Sequence, residues 1–456
     1  MRRALLLATA LALAGCMGPR PEAPDAAAVE PPAGWRDAPG GPGAEVSATW
    51  WRAFGDPALT GLVDQALAGN TDLALAAARV EEARAQFATA QAFQLPTVDA
   101  AAGGGPQRAL NAFGQPLDQT PRQAQLAIAY DTDLFGRLRN ATAAAKASLL
   151  ATEAARDAVR LAVASSAASG YIGLRALDAR LAVLRDTVAS RQESLHLATR
   201  RAETGYAPAL DQRQAEAELH AAEALIPVVE LAIRRQENAL SLLLGDAPHP
   251  IARGKSLYEL VSPETPAGLP SALLRRRPDI AQAEWSIVAA DRSLDSARAA
   301  FLPTIRLTAT GGFVDSNILP DPVSVFAIGG SILAPIFEGG RLRAQADAAA
   351  ARRDQAAFAY RKTALTAFRE VEDALAAVQR TAEQEQVIAA QRTSVAEVLR
   401  LATNRYRAGY SPYLEQLDAQ RALLSTELAL VQVRADRLSA QVALFQALGG
   451  GWQPGS

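Results

Sequence analysis

The stretch LRALDARLAVLRDTV, residues 174–188, decides the architecture. Leu174, Leu177, Leu181, Leu184 and Val188 step by three and four, the 3.5-residue period of a helix in coiled-coil packing. The stepping returns at Leu219, Ala222, Ile226, Val229, Ile233, Gln236, Leu240 and Leu243. It returns again at Leu424, Leu428, Val431, Ala435, Leu438, Val442 and Phe445. From Arg137 to Ala202 there is no Pro, and Gly occurs only at Gly170 and Gly173. At 1.5 Å per residue such a helix runs roughly 100 Å, longer than a compact domain needs. The pattern leaves two forms open, a solvated helical bundle or a helical tube.

Working outward, the chain reads as two copies of one unit. TDLA at 71–74 echoes PDIA at 278–281, and QLPTV at 94–98 echoes FLPTI at 301–305. GRLR at 136–139 returns at 340–343, and GYAPAL at 205–210 returns as GYSPYL at 409–414. The matches keep their order and lie about 205 residues apart. Repeat one spans 57–245 and repeat two 271–449, joined by a Pro/Gly-rich linker at 246–270 and followed by a tail at 450–456. Each repeat holds a helical stretch (about 57–93, about 271–300), two short strands, a very long helix, a tight turn at Gly205 or Gly409, and another long helix. The fold class is therefore mainly α with a small β part and a two-fold internal repeat.

The strands carry a period of two. Leu126, Ile128 and Tyr130 alternate with Gln125, Ala127, Ala129 and Asp131; Ile305, Leu307 and Ala309 alternate with Thr304, Arg306, Thr308 and Thr310. Phe326, Ile328 and Ile332 share one parity, Ala327 and Ser331 the other. Strands of about 9–11 residues cross an outer membrane at a tilt, apolar face to lipid and polar face to water. Arg306 fits the water face, since Arg at mid-bilayer on the lipid face costs roughly 2–4 kcal/mol. An amphipathic sheet on a soluble core has the same alternation. Backbone groups in lipid must all be paired, so four membrane strands require oligomerisation. Two copies make a barrel too narrow for an open pore, and three give twelve strands and a channel.

The first fifteen residues, MRRALLLATALALAG, read as a secretory signal peptide, with Arg2 and Arg3 before an apolar run too short to span a membrane. The sequence then reads Leu13-Ala14-Gly15-Cys16, which resembles the bacterial lipobox, and Cys16 is the only Cys of the chain. That resemblance implies diacylglycerol on Cys16, and Met17 rather than Asp after it implies the outer membrane. Residues 16–56 would be the lipidated N-terminal segment, its Pro-, Gly- and Ala-rich part at 18–45 an extended tether.

Composition excludes several classes. There are 46 Lys+Arg against 48 Asp+Glu among 456 residues, so the basic footprint of a nucleic-acid binder is missing. One Cys excludes a disulfide framework and a Cys-based zinc cluster. Three scattered His leave little for metal catalysis, and no cofactor is expected. Gly254-Lys255-Ser256 lacks the earlier Gly of a phosphate loop, that position being His249. No Gly-x-Ser-x-Gly elbow exists, and His196 and His220 read as solvated. No catalytic residue is assigned, and an enzyme is not expected.

Several stretches together resemble the TolC-like outer membrane efflux proteins, in their lipoprotein branch. They are WWRAFGDP at 50–57, LRRRPDIA at 274–281, PIFEGGR at 335–341, RYRAG at 405–409, LDAQ at 417–420 and LGGGW at 448–452. The resemblance covers almost the whole mature chain. It implies a homotrimer with a twelve-stranded β-barrel in the outer membrane and a long coiled-coil helical barrel in the periplasm. It implies an exit duct for drugs or other small toxic compounds, with a periplasmic adaptor and an inner-membrane transporter as partners. An exit channel for type I protein secretion shares this architecture. A lipid-anchored adaptor or coiled-coil scaffold is the alternative of another class, against which two hairpins and four dyad-patterned strands speak.

Leu414, Asp418 and Arg421 lie at i, i+4 and i+7 on one helix face just after the Gly409 turn. The resemblance implies that these positions line the periplasmic constriction. Three Asp418 carboxylates would ring the axis, held by Arg421 and by Tyr406 across the turn. Glu415 is a weaker candidate. In repeat one Gln214 stands where Asp418 stands in repeat two, and Asp211 aligns with Glu415, so that hairpin is assigned no charged gate. Gly205 and Gly409 would form the tips that meet the adaptor. Without the resemblance, an exposed Asp–Arg pair and ordinary turn chemistry explain the same residues.

Overall fold

The computed structural model describes residues 19–36, 46–263 and 270–453. The signal segment 1–15, Cys16 and residues 37–45 lie outside the described residues. In chain order the elements are α1 (Pro57–Gly69), α2 (Thr71–Ala92), β1 (Thr97–Gly104), β2 (Gln107–Leu110), β3 (Pro116–Gln119), β4 (Arg122–Asp131) and α3 (Arg137–Glu203). They continue with α4 (Ala209–Glu223), α5 (Leu225–Leu244), α6 (Pro278–Ala299), β5 (Thr304–Asp315), β6 (Val323–Leu333), α7 (Arg341–Arg407) and α8 (Tyr413–Ala447). A short helical turn, Pro270–Leu273, precedes α6. Both α3 and α7 hold 67 residues, about 100 Å of helix each.

Local chemistry sets the breaks. The first helical stretch divides at Asn70, whose side-chain oxygen accepts from the Asp72 and Leu73 amides while its Nδ2 donates to Leu243 O. That caps α2 and ends α1 at once. Repeat one's return helix, expected unbroken, splits at Ala224. Pro227 has no amide to donate and its ring clashes with the carbonyl four residues earlier, at Glu223, the last residue of α4. No Pro lies within α8, which runs 35 residues without interruption.

The chain forms two compact units. The first, 78–153 and 282–362 with the chain up to Ala28, holds an antiparallel sheet in the order β1-β4-β5-β6. Its register puts Val98, Ile128, Ala309 and Ile328 in one row, and Ala100, Leu126, Gly311 and Phe326 in the next on the same face. The opposite face carries Asp99, Ala127, Thr310 and Ala327, and Arg306 stands directly between Asp131 and Ser331. Leu126, Phe326, Ile328 and Ile332 are all exposed, so this apolar face has no cover in the chain. The hairpin β2–β3, inserted between β1 and β4, was not expected; its four-residue strands are too short for alternation to register. Arg108 and Asp118 face each other across it at 2.5 Å and 2.7 Å. The described residues 19–28 are docked rather than a free tether. Arg20 binds Asp291 at 2.7 Å and Asp295 at 3.0 Å, and the buried Arg353 donates to the carbonyls of Pro21 and Glu22.

The second unit, 29–77, 154–281 and 363–456, holds the main core, where Trp50, Phe54, Leu59, Tyr171, Leu174, Leu240, Leu438 and Phe445 are buried together. Trp50 stacks on Phe445 at 5.1 Å between ring centres. Asp56 is buried at 1% exposure and caps α1 by accepting from the Ala58 amide at 2.8 Å. Its other oxygen accepts from Tyr171 Oη at 2.8 Å and from the Lys255 amide at 3.0 Å. Tyr171 Oη accepts in turn from the Gly254 amide at 2.8 Å, and burial pushes the phenol up to about 12. A Cβ on Gly254 would stand 2.1 Å from Asp56 Oδ1. Gly254-Lys255 thus serves a structural carboxylate rather than a phosphate, and the segment 251–260 is packed, with Ile251, Leu257 and Leu260 buried.

Candidate functional site

Both hairpin turns of the second unit have the same construction. After α3, the Tyr206 amide donates to Arg201 O at 2.8 Å and the Gly205 amide to Ala202 O at 3.2 Å; after α7, Tyr410 donates to Arg405 O at 2.9 Å and Gly409 to Tyr406 O at 3.0 Å. This pair of bonds closes a helix through a left-handed residue, here Gly205 at φ +74° and Gly409 at φ +82°. Pro208 and Pro412 then stand at the N-caps of α4 and α8. Tyr206 and Tyr410 project from the turns, 82% and 81% exposed.

The N-terminal part of α8 carries the candidate gate. Leu414, Asp418 and Arg421 are exposed on one face, while Tyr413, Gln416, Leu417 and Gln420 face inward. Tyr406, Tyr413, Leu417, Ala198 and Ala215 form a small core. The two tyrosine rings lie 5.4 Å apart, and the Arg201 guanidinium stacks 4.7 Å from the Tyr406 ring centre while donating to the Tyr406 carbonyl. Burial pushes Tyr413 up to about 12.

The expected partners of Asp418 are engaged elsewhere within the chain. Arg421 binds Glu218 of α4, through Nε at 2.9 Å and through Nη2. Glu218 also accepts from Arg191 of α3, which is 3% exposed. Burial pushes the Glu218 carboxyl up, but the bonds and charges of Arg421 and Arg191 outweigh it and hold the group below its usual value. Glu218 is 14% exposed and Asp418 lies in solvent, so water screens the Glu218 carboxylate less and its attraction for Arg421 is the stronger. Tyr406 points into the core, its hydroxyl near the Asp211 carboxylate but without a hydrogen bond of full geometry. Burial raises Asp211, against the opposing charge of Arg201. Glu415 pairs with Arg405 at 3.3 Å.

Three latches therefore tie α8 and the end of α7 to the first hairpin. They are Arg421–Glu218–Arg191, Arg201–Tyr406, and Ser194 Oγ accepting from Gln420 Nε2 at 2.8 Å and Gln416 Nε2 at 3.2 Å. Sequence reasoning missed Arg191, Ser194, Glu218, Gln416 and Gln420. A signal existed, because Arg191 continues the series Leu184, Val188 and Gln420 precedes Leu424 at the same spacing. Polar residues at seam positions mark buried polar contacts. Among the described residues, no group of three or more His, Cys, Asp or Glu is arranged to hold a metal ion.

Comparison with known proteins gives a consistent result. The family profile described as "Outer membrane efflux protein" matches residues 62–246 and 269–450. The antibiotic efflux pump outer membrane protein ArpC of Pseudomonas putida is 37% identical over 98% of this chain and 95% of its own. Outer membrane protein OprJ of Pseudomonas aeruginosa is 37% identical over 98% of this chain and 96% of its own. Among solved structures, the CmeC outer membrane channel of Campylobacter jejuni superposes with a TM-score of 0.88 at 25% identity, covering 96% of each chain. The open-state MtrE outer membrane channel of Neisseria gonorrhoeae gives 0.83 at 30% identity, covering 96% of this chain and 98% of that one.

Proposed function

We propose, from the premise that this chain belongs to the outer membrane efflux protein family, that three copies form the exit duct of a tripartite pump. The chain resides in the outer membrane and carries an export channel's fold. One observation supports the trimer most directly: the sheet ends in two unpaired edges, β1 and β6, and its apolar face is exposed. Such a sheet cannot enter lipid alone, because its edge amides and carbonyls would be unpaired. β1 and β6 run in opposite directions, so β6 of one copy can pair antiparallel with β1 of the next. Three copies close twelve strands around a polar lumen that contains Arg306, Asp131 and Thr310.

Repeats 57–245 and 271–449 each supply one hairpin to the periplasmic part. The tips at Gly205 and Gly409 meet a periplasmic adaptor, which links the duct to an inner-membrane transporter. Three copies of Leu414, Asp418 and Arg421 line the constriction, where a carboxylate ring draws cations into the mouth. Acyl chains on Cys16 anchor each copy to the outer membrane. Conduction is passive, and the transporter supplies the energy and chooses the cargo. Relatives named for antibiotic and toluene efflux support small toxic compounds as that cargo.

Dye and drug retention in a strain lacking this protein tests the reading, with complementation by the wild type and by Asp418→Ala. Higher retention reversed by the wild type is expected. Unchanged retention across several dyes and drugs, with loss of an exported protein, would transfer the assignment to secretion.

A further inference from the structure

The two repeats pair their strands in the same register. Thr97 faces Ala129 as Thr304 faces Leu333, and Gly104 faces Arg122 as Gly311 faces Phe326. These equivalences keep the spacing of the echoes QLPTV/FLPTI and GRLR. The hairpin β2–β3 obeys the same register. Gln107 faces Gln119 and Leu110 faces Pro116, which continues the β1–β4 pairing without a slip. Between the two ladders the Gly105 amide donates to Pro121 O at 3.1 Å. Pro121 has no amide to return the bond, and neighbouring Pro106 has none either. Two prolines therefore interrupt what is otherwise one hairpin, and residues 97–110 form one continuous edge.

Bonded pairs alternate along an antiparallel ladder. With Gly105 bonded inward, Ala102, Gly104, Arg108 and Leu110 hold their amides and carbonyls on the free edge, and Pro106 its carbonyl. By the repeat, Phe326, Ile328, Gly330 and Ile332 hold theirs on the free edge of β6. Inside the chain, the seam between the repeats sets Leu126 against Gly311, Ile128 against Ala309 and Ala124 against Phe313. The equivalent pairs are Gly330 with Gly104, Ile332 with Ala102 and Ile328 with Pro106, all of them free-edge residues. Ile332 is 72% exposed, whereas its equivalent Ile128, flanked by β5, is 43% exposed. In this register β1 alone is too short. Its residues 101–104 face 330–333 of β6, and 323–329 find no partner in it. Unpaired backbone is not tolerated in lipid. β2 is placed to supply the partner, with Gln107 opposite Ala327, Arg108 opposite Phe326 and Ala109 opposite Val325.

Resting on the trimer reading above, we propose that β2 is the outer half of the subunit boundary. Residues 97–110 of one copy run as a single strand along β6 of a second copy, in the register just given. Gln107 and Ala109 face the lumen, Arg108 and Leu110 face outward, and only the turn at 111–115 stands clear of the wall.

Disulfide trapping in outer membranes, with copper phenanthroline as oxidant and boiled non-reducing gels as readout, tests the register. Cys16 is the only native Cys, so single-cysteine variants give the background. Facing Cα atoms in such a ladder lie about 4.5–5.5 Å apart, within disulfide reach. Within one chain β1 and β6 are three strand spacings apart, roughly 14 Å, so bonds between them join two copies. Two variants probe β2: Gln107→Cys with Ala327→Cys, and Ala109→Cys with Val325→Cys. Re-pairing the same substitutions, Gln107→Cys with Val325→Cys and Ala109→Cys with Ala327→Cys, shifts the register by two residues. Ala101→Cys with Leu333→Cys probes β1 alone. Reducible dimers and trimers are expected from both β2 pairs at a yield like that of the β1 pair, and several-fold less from the re-paired variants. Trapping by the β1 pair but by neither β2 pair overturns the proposal and leaves the trimer standing. Equal or higher yield from the re-paired variants overturns the register. No covalent oligomer from any pair, with no SDS-resistant oligomer of the wild type, overturns the proposal together with the trimer.

Discussion

Glu218→Gln isolates the charge that joins the two hairpins. In the native chain Glu218 accepts from Arg191, whose side chain is 3% exposed, and from Arg421, which is 56% exposed. Replacing the carboxylate leaves a buried guanidinium without a counter-charge, a change that costs about 3–5 kcal/mol. Gln keeps one acceptor oxygen, so the lower end, about 3 kcal/mol, is the working figure. At 1.4 kcal/mol per decade that is about a hundredfold in the local opening equilibrium. Arg185–Glu230 supplies the contrast: it joins α3 to α5 at 3.3 Å, with side chains 62% and 50% exposed. Exposed pairs of this kind contribute at most about 1 kcal/mol, so Glu230→Gln should change local opening by less than about fivefold. Amide hydrogen exchange of residues 413–421 in the assembled protein reads local opening directly. Equal protection in the two variants, or unchanged protection in Glu218→Gln, would refute the argument that burial gives this latch its strength.

Other perturbations have equally definite outcomes. Acid should release the same latch: Glu218 is held below its usual value, so its contribution is complete above the unfolded carboxylate range, about 4.3, and lost as pH falls through its lower folded value. Asp211, raised by burial, has the opposite sign, so its protonation at higher pH should favour the fold before Glu218 is lost. Exchange of 413–421 against pH should show both phases, and Glu218→Gln should lack the acidic one. Tyr171→Phe leaves an Asp56 oxygen and the Gly254 amide each short of a buried partner, and should cost about 1–3 kcal/mol, measured as a lower heat-dissociation midpoint. Ala309→Arg puts a charge on the exposed apolar face and should cost about 2–4 kcal/mol at mid-membrane, while Thr310→Arg faces the lumen and should assemble normally. Heat-modifiable migration after outer-membrane extraction distinguishes these two variants.

The elements most legible in the sequence were those with long repetition. A 67-residue helix offers many turns over which a three-four period can be recognised, and β5 and β6 offer ten residues or more of alternation. Leu438, Val442 and Phe445 were read as seam positions and are buried; Arg306 was read to the polar face and lies opposite Asp131. Short or non-local features were not legible. β2 and β3 hold four residues each, and no period shows in so few. Pro227 stands inside the apolar series Leu219 to Leu243, and that series alone reads as one continuous helix. Residues 19–28 read as a tether because their composition is that of one. Their attachment depends on Asp291, Asp295 and Arg353, hundreds of residues away.

Sequence by itself determined the two-fold repeat, the long helices, the strand faces and the positions of the turns. Each follows from short-range rules: periodicity, glycine at a left-handed residue, proline without an amide. The tertiary structure alone decided who pairs with whom. Arg421 had Asp418 one turn away on its own helix, yet it binds Glu218, 203 residues distant in sequence. Charge interactions depend on separation and on how far each group is withdrawn from water, and a linear sequence records neither. The same holds for the buried Asp56–Tyr171 bond, where burial turns an ordinary carboxylate and phenol into groups that must find a partner.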